Sequence, residues 1–169
     1  MKPLVADART ITDLLTDRGV RLTGPRRAVV DVLVKRGTPL TVGEIQARIR
    51  SRPINLVSVY RTVRLLSRLG LVRVADESRG TQRFELAEAF TGHHHHLVCQ
   101  ACGAIGDLHG CWLEENMLLA LNRRVRRTRR FRVLTHDLKL LGLCQRCRSN
   151  ETPGSALTAS RSDGKLAAR

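Results

Sequence analysis

The sequence predicts an α+β fold that opens with a winged helix-turn-helix and ends in a metal-binding part. Three observations predict it. Segments of helical period run into a two-stranded hairpin, two Cys-x-x-Cys pairs stand in the second half, and 30 Lys+Arg face 15 Asp+Glu, a formal net charge of +15. At 169 residues the chain has room for one large domain or two small ones. Hydrophobic residues make up 42% but aromatics only 3%, so a core must be built mainly from Leu, Val, Ile and Ala.

The helices follow from apolar spacing and from their stop signals. Ala8 to Arg18 carries Ile11, Leu14 and Leu15 on one face and is stopped by Gly19. Pro25 suits a first helical turn and opens PRRAVVDVLVKRG, with Ala28, Val29, Val32 and Leu33 on one stripe. Thr41-Val42-Gly43-Glu44 has the form of a capping box ahead of Ile45 and Ile49, and Pro53 ends that helix. NLVSVYRTVRLLSRLG then spaces Val59, Val63, Leu66 and Leu69 helically up to Gly70. LVRVADE and TQRFEL, joined through Ser78-Arg79-Gly80, read as the hairpin.

In that order the last helix enters a major groove and the hairpin lies along the phosphate backbone. The last helix presents Ser58, Tyr60, Arg61, Arg64 and Arg68 away from its apolar stripe. Arg61 suits guanine edges or phosphates, Tyr60 can offer its ring to a thymine methyl, and Arg21 joins them as a candidate DNA contact. A basic helix face turned only to solvent is the plainer alternative. Residues 1–90 carry 17 Lys+Arg against 9 Asp+Glu, and residues 91–148 carry 10 against 4. A surface this basic points to a polyanion, and double-stranded DNA is the first candidate.

No apolar run reaches the roughly 18 residues that a membrane helix needs, and Met1 to Arg9 holds no signal core. A cytoplasmic protein without a membrane partner is expected, with reduced thiols. The five cysteines then read as metal ligands or free thiols. Cys99/Cys102 and Cys144/Cys147 form two knuckles that together offer four thiolates, the commonest structural zinc set; Cys111 is left as a free thiol. The run His93-His94-His95-His96 lies three residues before the first knuckle. On a strand, His93 and His95 point one way and His94 and His96 the other, so one tetrapeptide can serve two metal sites. Glu85, Asp107, His109, Glu114 and His136 are available to complete them. Mixed imidazole and carboxylate ligation suits Zn, Fe(II), Mn or Ni alike.

LTGPRRAVVDVL, NLVSVYRTVRLLSRLGLV, RFEL, HHHHLVCQACG and THDLKLLGLCQRC, taken in order, resemble the ferric uptake regulator superfamily of metal-dependent bacterial repressors. The resemblance spans roughly residues 10–148 and implies a winged helix joined by a hinge to a C-terminal α/β dimerisation domain with a structural zinc. By that resemblance residues 1–90 are the DNA-binding domain with its hinge and 91–148 the metal-binding dimerisation domain. Residues 149–169, small, polar and without period, are expected to be a disordered tail. It further implies a structural Zn²⁺ on Cys99, Cys102, Cys144 and Cys147, and a dimerisation-domain site on His93, His95, Glu114 and His136. The interdomain regulatory site falls on Glu85, His94, His96 and Asp107, for Zn²⁺ or Fe²⁺. Relatives often add an N-terminal histidine where this chain has Pro39, and zinc-sensing ones can use Asp and Cys where it has Arg73 and Ala87.

The expected function is a homodimeric, metal-responsive repressor that binds operator DNA and is not an enzyme. A peroxide-sensing repressor is the near alternative. A zinc hydrolase is the remote one, disfavoured by filled ligand sets and the lack of an HExxH motif. RRVRRTRRFR, residues 123–132, packs seven arginines into ten positions; a solvent-facing basic surface and an accessory anion-binding surface both fit it.

Overall fold

The computed structural model describes residues 7–50, 53–77, 80–109 and 115–149. The expectations for Ser78 and Arg79, for Cys111 and Glu114, and for the tail from 150 onward lie outside the described residues.

Four helices come first: α1 (Ala8–Asp17), α2 (Gly24–Arg36), α3 (Val42–Arg48) and α4 (Leu56–Arg68). Each begins where a short polar side chain or a proline relieves the unpaired amides of a helix start. Asp7 accepts from the Thr10 N–H at 2.7 Å, and Asn55 from the Ser58 N–H at 2.7 Å. In α3 the capping box forms in both directions: the Glu44 N–H donates to Thr41 Oγ1 at 3.1 Å, and the Thr41 N–H donates to Glu44 Oε2 at 2.8 Å. Pro25 sits in the first turn of α2, and Gly37, at φ +66, takes the left-handed position that ends it. Of the expected stripes, Ile11 and Leu15 of α1, Ala28, Val29 and Leu33 of α2, and Val59, Val63 and Leu66 of α4 are buried, while Leu14, Val32 and Leu69 are half-buried at the edge of the core.

The chain then turns at Gly70 (φ +69) into the hairpin of β1 (Val72–Asp76) and β2 (Arg83–Leu86). These strands pair antiparallel with Val72 opposite Leu86, Arg73 opposite Glu85 and Val74 opposite Phe84. Leu40 exchanges both backbone hydrogen bonds with Phe84, at 2.9 and 2.8 Å, and so fastens the segment before α3 to the wing. A winged helix-turn-helix results, with its core among α1–α4 and the hairpin.

After the one-turn helix α5 (Glu88–Thr91) come β3 (His94–Cys99), β4 (Ile105–His109), α6 (Glu115–Arg129), β5 (Lys139–Gly142) and α7 (Gln145–Ser149). The sheet has the order β4-β3-β5, with β3 antiparallel to β4 and parallel to β5. The sequence predicts His136 on the strand that follows the arginine-rich segment, but His136 precedes β5 (Lys139–Gly142). The parallel register sets Lys139 against His96, so His136 falls level with His93, before β3 itself begins. The arginine-rich segment occupies the last turns of α6 and continues through Arg130, which has φ +50, to an exposed Arg132.

Burial is lopsided. The large apolar cluster runs from Ile11 to Phe90, and beyond Cys99 no described residue is buried. Leu97 and Leu140, cross-strand neighbours on one face of the sheet, are 43% and 46% exposed, and Leu141, on the other face, is 60% exposed. Lys139 Nζ lies 3.3 Å from Asp76 Oδ1 and links β5 to the wing. Among the described residues no helix is long and apolar enough to cross a membrane.

Leu66 is 1% exposed at the centre of this core. Leu66→Ala is expected to destabilise the helical half by about 2–5 kcal/mol, the range for emptying a buried leucine site. Urea unfolding followed by helical circular dichroism measures it, and a midpoint unchanged from wild type would contradict the placement.

Candidate metal centres and reading helix

Because β3 and β5 run parallel, both cysteine knuckles emerge at the same end of the sheet. Cys99 closes β3 opposite Gly142, Cys102 follows in a turn made by Gly103 at φ +71, Cys144 follows β5 and Cys147 lies in α7. The four sulfurs lie within 4.8 Å of one another, with Cys102 Sγ 3.7 Å from Cys144 Sγ. A tetrahedron of Zn–S bonds of about 2.3 Å has an edge of about 3.8 Å, so the spacing suits a four-thiolate ion. The proton chemistry agrees. Backbone N–H groups of Cys102 and Cys144 aim at the Cys99 sulfur and bring that thiol down to about 6. Hydrogen bonding with Cys144 and Cys102 pushes the Cys147 thiol up to about 12. A dication at the centre would favour the thiolate form of every sulfur.

The histidine run divides by parity. His94 Nε2 and His96 Nε2 each lie 3.1 Å from the same atom, Glu85 Oε2, and Asp107 Oδ1 is 3.9 Å from His96 Nε2. His96 pairs with Asp107 across β3 and β4, while Glu85 arrives from β2 of the wing. On the other face His93 Nε2 lies 3.1 Å from His136 Nε2, and the His95 ring stands 4.6 Å from His93 and 5.2 Å from His136, centre to centre. Three imidazoles therefore meet there; Glu114, the expected fourth member, lies outside the described residues. His109, opposite His94 on β4, is exposed with its ring centre 6.2 Å away.

Both groups carry polar atoms that a cation would satisfy. His95 is fully buried, and neither of its ring nitrogens has a hydrogen-bond partner among the described residues. Burial, then the neighbouring His93 and His136, lower its pKa, so it stays a neutral ligand. Asp107 Oδ1 is likewise buried without a hydrogen bond, and burial raises its carboxyl pKa against the pull of His94 and His96. Burial works to raise Glu85 too. The His96 hydrogen bond, the Arg73 charge and His94 outweigh it and hold the carboxyl below its ordinary value. Burial works to lower the His94 pKa, but hydrogen bonds to the Gly92 carbonyl, 2.9 Å from Nδ1, and to Glu85 outweigh it and raise it. In the neutral ring a proton on Nδ1 leaves the Nε2 lone pair free for a metal.

Two participants escaped sequence reasoning. Arg73 Nη2 lies 2.7 Å from Glu85 Oε1, and Glu88 pairs with His93 Nδ1. The second is the carboxylate–imidazole arrangement that orients metal-bound histidines. A two-residue alternation along β1 and β2 hinted at the first, since cross-strand neighbours share a face; nothing in the sequence marked the second.

On α4, Tyr60, Arg61 and Arg64 are exposed, Ser58 is half-buried, and the Arg64 guanidinium stands 5.9 Å from the centre of the Tyr60 ring. Arg21 is exposed in the link before α2, and its carbonyl accepts from Arg26. Arg26, which the sequence did not single out, lines the same shallow groove as Tyr60, Arg61, Arg64 and Arg68. The basic face of α4 is thus open to a partner, opposite the face that carries Val59, Val63 and Leu66 into the core.

Comparison with known proteins places these features. Residues 17–141 match the model of the ferric uptake regulator family. The chain is 33% identical to the ferric uptake regulation protein of Bacillus subtilis over 136 residues, 78% of this chain and 88% of that protein. It is 30% identical to the peroxide operon regulator of the same organism over 141 residues, 82% and 92% of the two chains. The solved Helicobacter pylori ferric uptake regulator Fur, described as having three functional metal-binding sites, aligns with a TM-score of 0.71 at 26% identity, covering 90% of this chain and all of that one. With its winged helix, its mixed sheet and its histidine and cysteine clusters, the chain belongs to the ferric uptake regulator family.

Proposed function

We propose that the protein is a metal-responsive, DNA-binding transcriptional repressor of metal-homeostasis genes. One observation carries the reading: Glu85 of the wing and His94 and His96 of the sheet converge on a single carboxylate oxygen. Zn²⁺ or Fe²⁺ held by Glu85, His94, His96 and Asp107 would supply the charge that ties these elements together. The tie favours one placement of α4 relative to the sheet, and DNA binding and metal binding then strengthen each other by linkage. Cys99, Cys102, Cys144 and Cys147 are proposed to hold structural Zn²⁺, and His93, His95 and His136, with Glu114, a further ion. The three functional metal-binding sites of the Helicobacter protein support this count.

Residues 1–90 serve in this proposal as the DNA-binding domain with its hinge, and 91–148 as the dimerisation domain. Leu97 and Leu140 on one face of the sheet and Leu141 on the other stay exposed among the described residues, which favours a homodimer. A two-fold dimer would offer two copies of α4 to successive major grooves of an operator, with Arg21, Ser58, Tyr60, Arg61 and Arg64 at the contact. The site of action is the cytoplasm, where such DNA lies. No catalytic role is proposed: the cysteine and Glu85 sets each supply four ligands, and a catalytic zinc keeps a position open. The identity to the peroxide operon regulator favours a peroxide-sensing repressor as second reading, distinguished by oxidation of His94 or His96 in the iron-loaded protein.

Operator binding titrated with Zn(II) or Fe(II) tests the reading. His96→Ala and Glu85→Ala are expected to lower metal-activated affinity within the roughly 5–150-fold range typical of coupling between sites. His95→Ala should mainly change bound metal and dimer stability. Losses that follow adjacency along the run, rather than parity, would contradict two formed sites. Arg61→Ala should weaken specific binding by about 1–3 kcal/mol, the worth of a bidentate base contact, with metal content unchanged. A normal footprint from that variant would remove α4 from base reading. Cys99→Ser or Cys144→Ser should release the tightly held zinc and loosen the dimer, since structural zinc binding is coupled to folding. A zinc-replete, fully dimeric Cys144→Ser protein would sink the four-sulfur site.

A further inference from the structure

The two oxygens of Glu85 are divided between different partners. Oε2 faces His94 and His96 at 3.1 Å each, whereas Oε1 is paired with the Arg73 charge, 2.7 Å from Nη2 though off the angle of a hydrogen bond. Arg73 cannot readily leave, because it stands directly opposite Glu85 in the β1–β2 register and both side chains project from the same face of the hairpin. The Glu85 side chain is 1% exposed and the Arg73 side chain 30%, with its Nε and Nη2 buried, so the pair is shielded from competing water.

A carboxylate whose second oxygen is engaged by a guanidinium can bind a metal through one oxygen only. The ligand set is then Glu85 Oε2, one nitrogen each from His94 and His96, and one oxygen of Asp107, four atoms in all. Four nitrogen and oxygen ligands suit tetrahedral Zn²⁺; Mn²⁺ and Fe²⁺ in such sites take more ligands, and a chelating carboxylate is the usual way to supply one. The Arg73 charge repels every dication equally. What differs between metals is the withheld oxygen.

We propose that Arg73 is a specificity-determining residue of this site: by holding Oε1 of Glu85 it restricts the carboxylate to one metal bond and so favours four-coordinate Zn²⁺ over Mn²⁺ and Fe²⁺. The inference rests on the reading of Glu85, His94, His96 and Asp107 as a metal site, and its test separates the two. Full-length protein with zinc in its cysteine cluster is titrated with Co(II), whose visible absorption is strong in four-coordinate sites and weak in six-coordinate ones. The part of the spectrum lost in His96→Ala belongs to this site. In the wild type that part should be strong. In Arg73→Gln it should weaken per bound ion, and Mn(II) affinity, measured by chelator competition, should gain on Zn(II) affinity by about 10–100-fold, the effect usual for residues that support metal ligands. Arg73→Lys, which keeps the charge and one donor, should restore the strong spectrum in part.

A weak, six-coordinate spectrum in the wild type overturns the inference whether or not any Arg73 variant folds. So does an Arg73→Gln protein with an unchanged spectrum and an unchanged Mn/Zn ratio. If His96→Ala removes no part of the Co(II) signal, the site reading itself fails, and the inference with it.

Discussion

The two-residue period of β3 is the constraint on which the rest depends. Six residues, His94 to Cys99, must pair with β4 on one side and β5 on the other, which leaves no freedom to rotate a side chain to the opposite face. That rigidity sends His94 and His96 toward the wing and His95, with His93 just before the strand, toward His136. It also delivers Cys99 to the end of the sheet where β5 delivers Cys144. A slip of one residue would exchange the two histidine faces and turn Cys99 away from its partners.

Glu85 is where the wing meets this strand. A carboxylate buried so deeply needs an opposite charge or hydrogen-bonding neighbours, and Arg73, His94 and His96 surround it. The Lys139–Asp76 pair adds a second link between wing and sheet that involves none of these residues. The wing is therefore held to the sheet at two places, one a cluster of carboxylates and imidazoles and the other a lysine–aspartate pair.

Much of this could be read from the sequence because it depends on local chemistry. The Thr41–Glu44 capping box, the Gly19 and Gly70 stops, the stripes of α1 and α4 and the alternation of the histidines are all set within a few residues. The cysteine pairs were legible for the same reason, since each knuckle closes on itself. What escaped depends on pairings over long stretches of chain. The Arg73–Glu85 ion pair needs the hairpin register, the Glu88–His93 pair needs the turn after α5, and the position of His136 ahead of β5 needs the parallel register with β3. Arg26 reaches the groove beside α4 only because α2 packs against α4.

The uneven burial along the chain has a consequence for how the protein is made. Every residue of the large apolar cluster has been added once Phe90 is in place, whereas Cys144 follows more than 50 residues later. At about 5–20 residues per second that interval is several seconds, long compared with the folding of a small helical unit. The residues of α4 and of the core beneath it are therefore all present on a nascent chain that still has no second cysteine knuckle and no β5. Such a chain carries the basic face of α4 but neither the four-cysteine cluster nor the third strand of the sheet. The order of synthesis thus puts the cluster of four sulfurs last, after the core that carries α4.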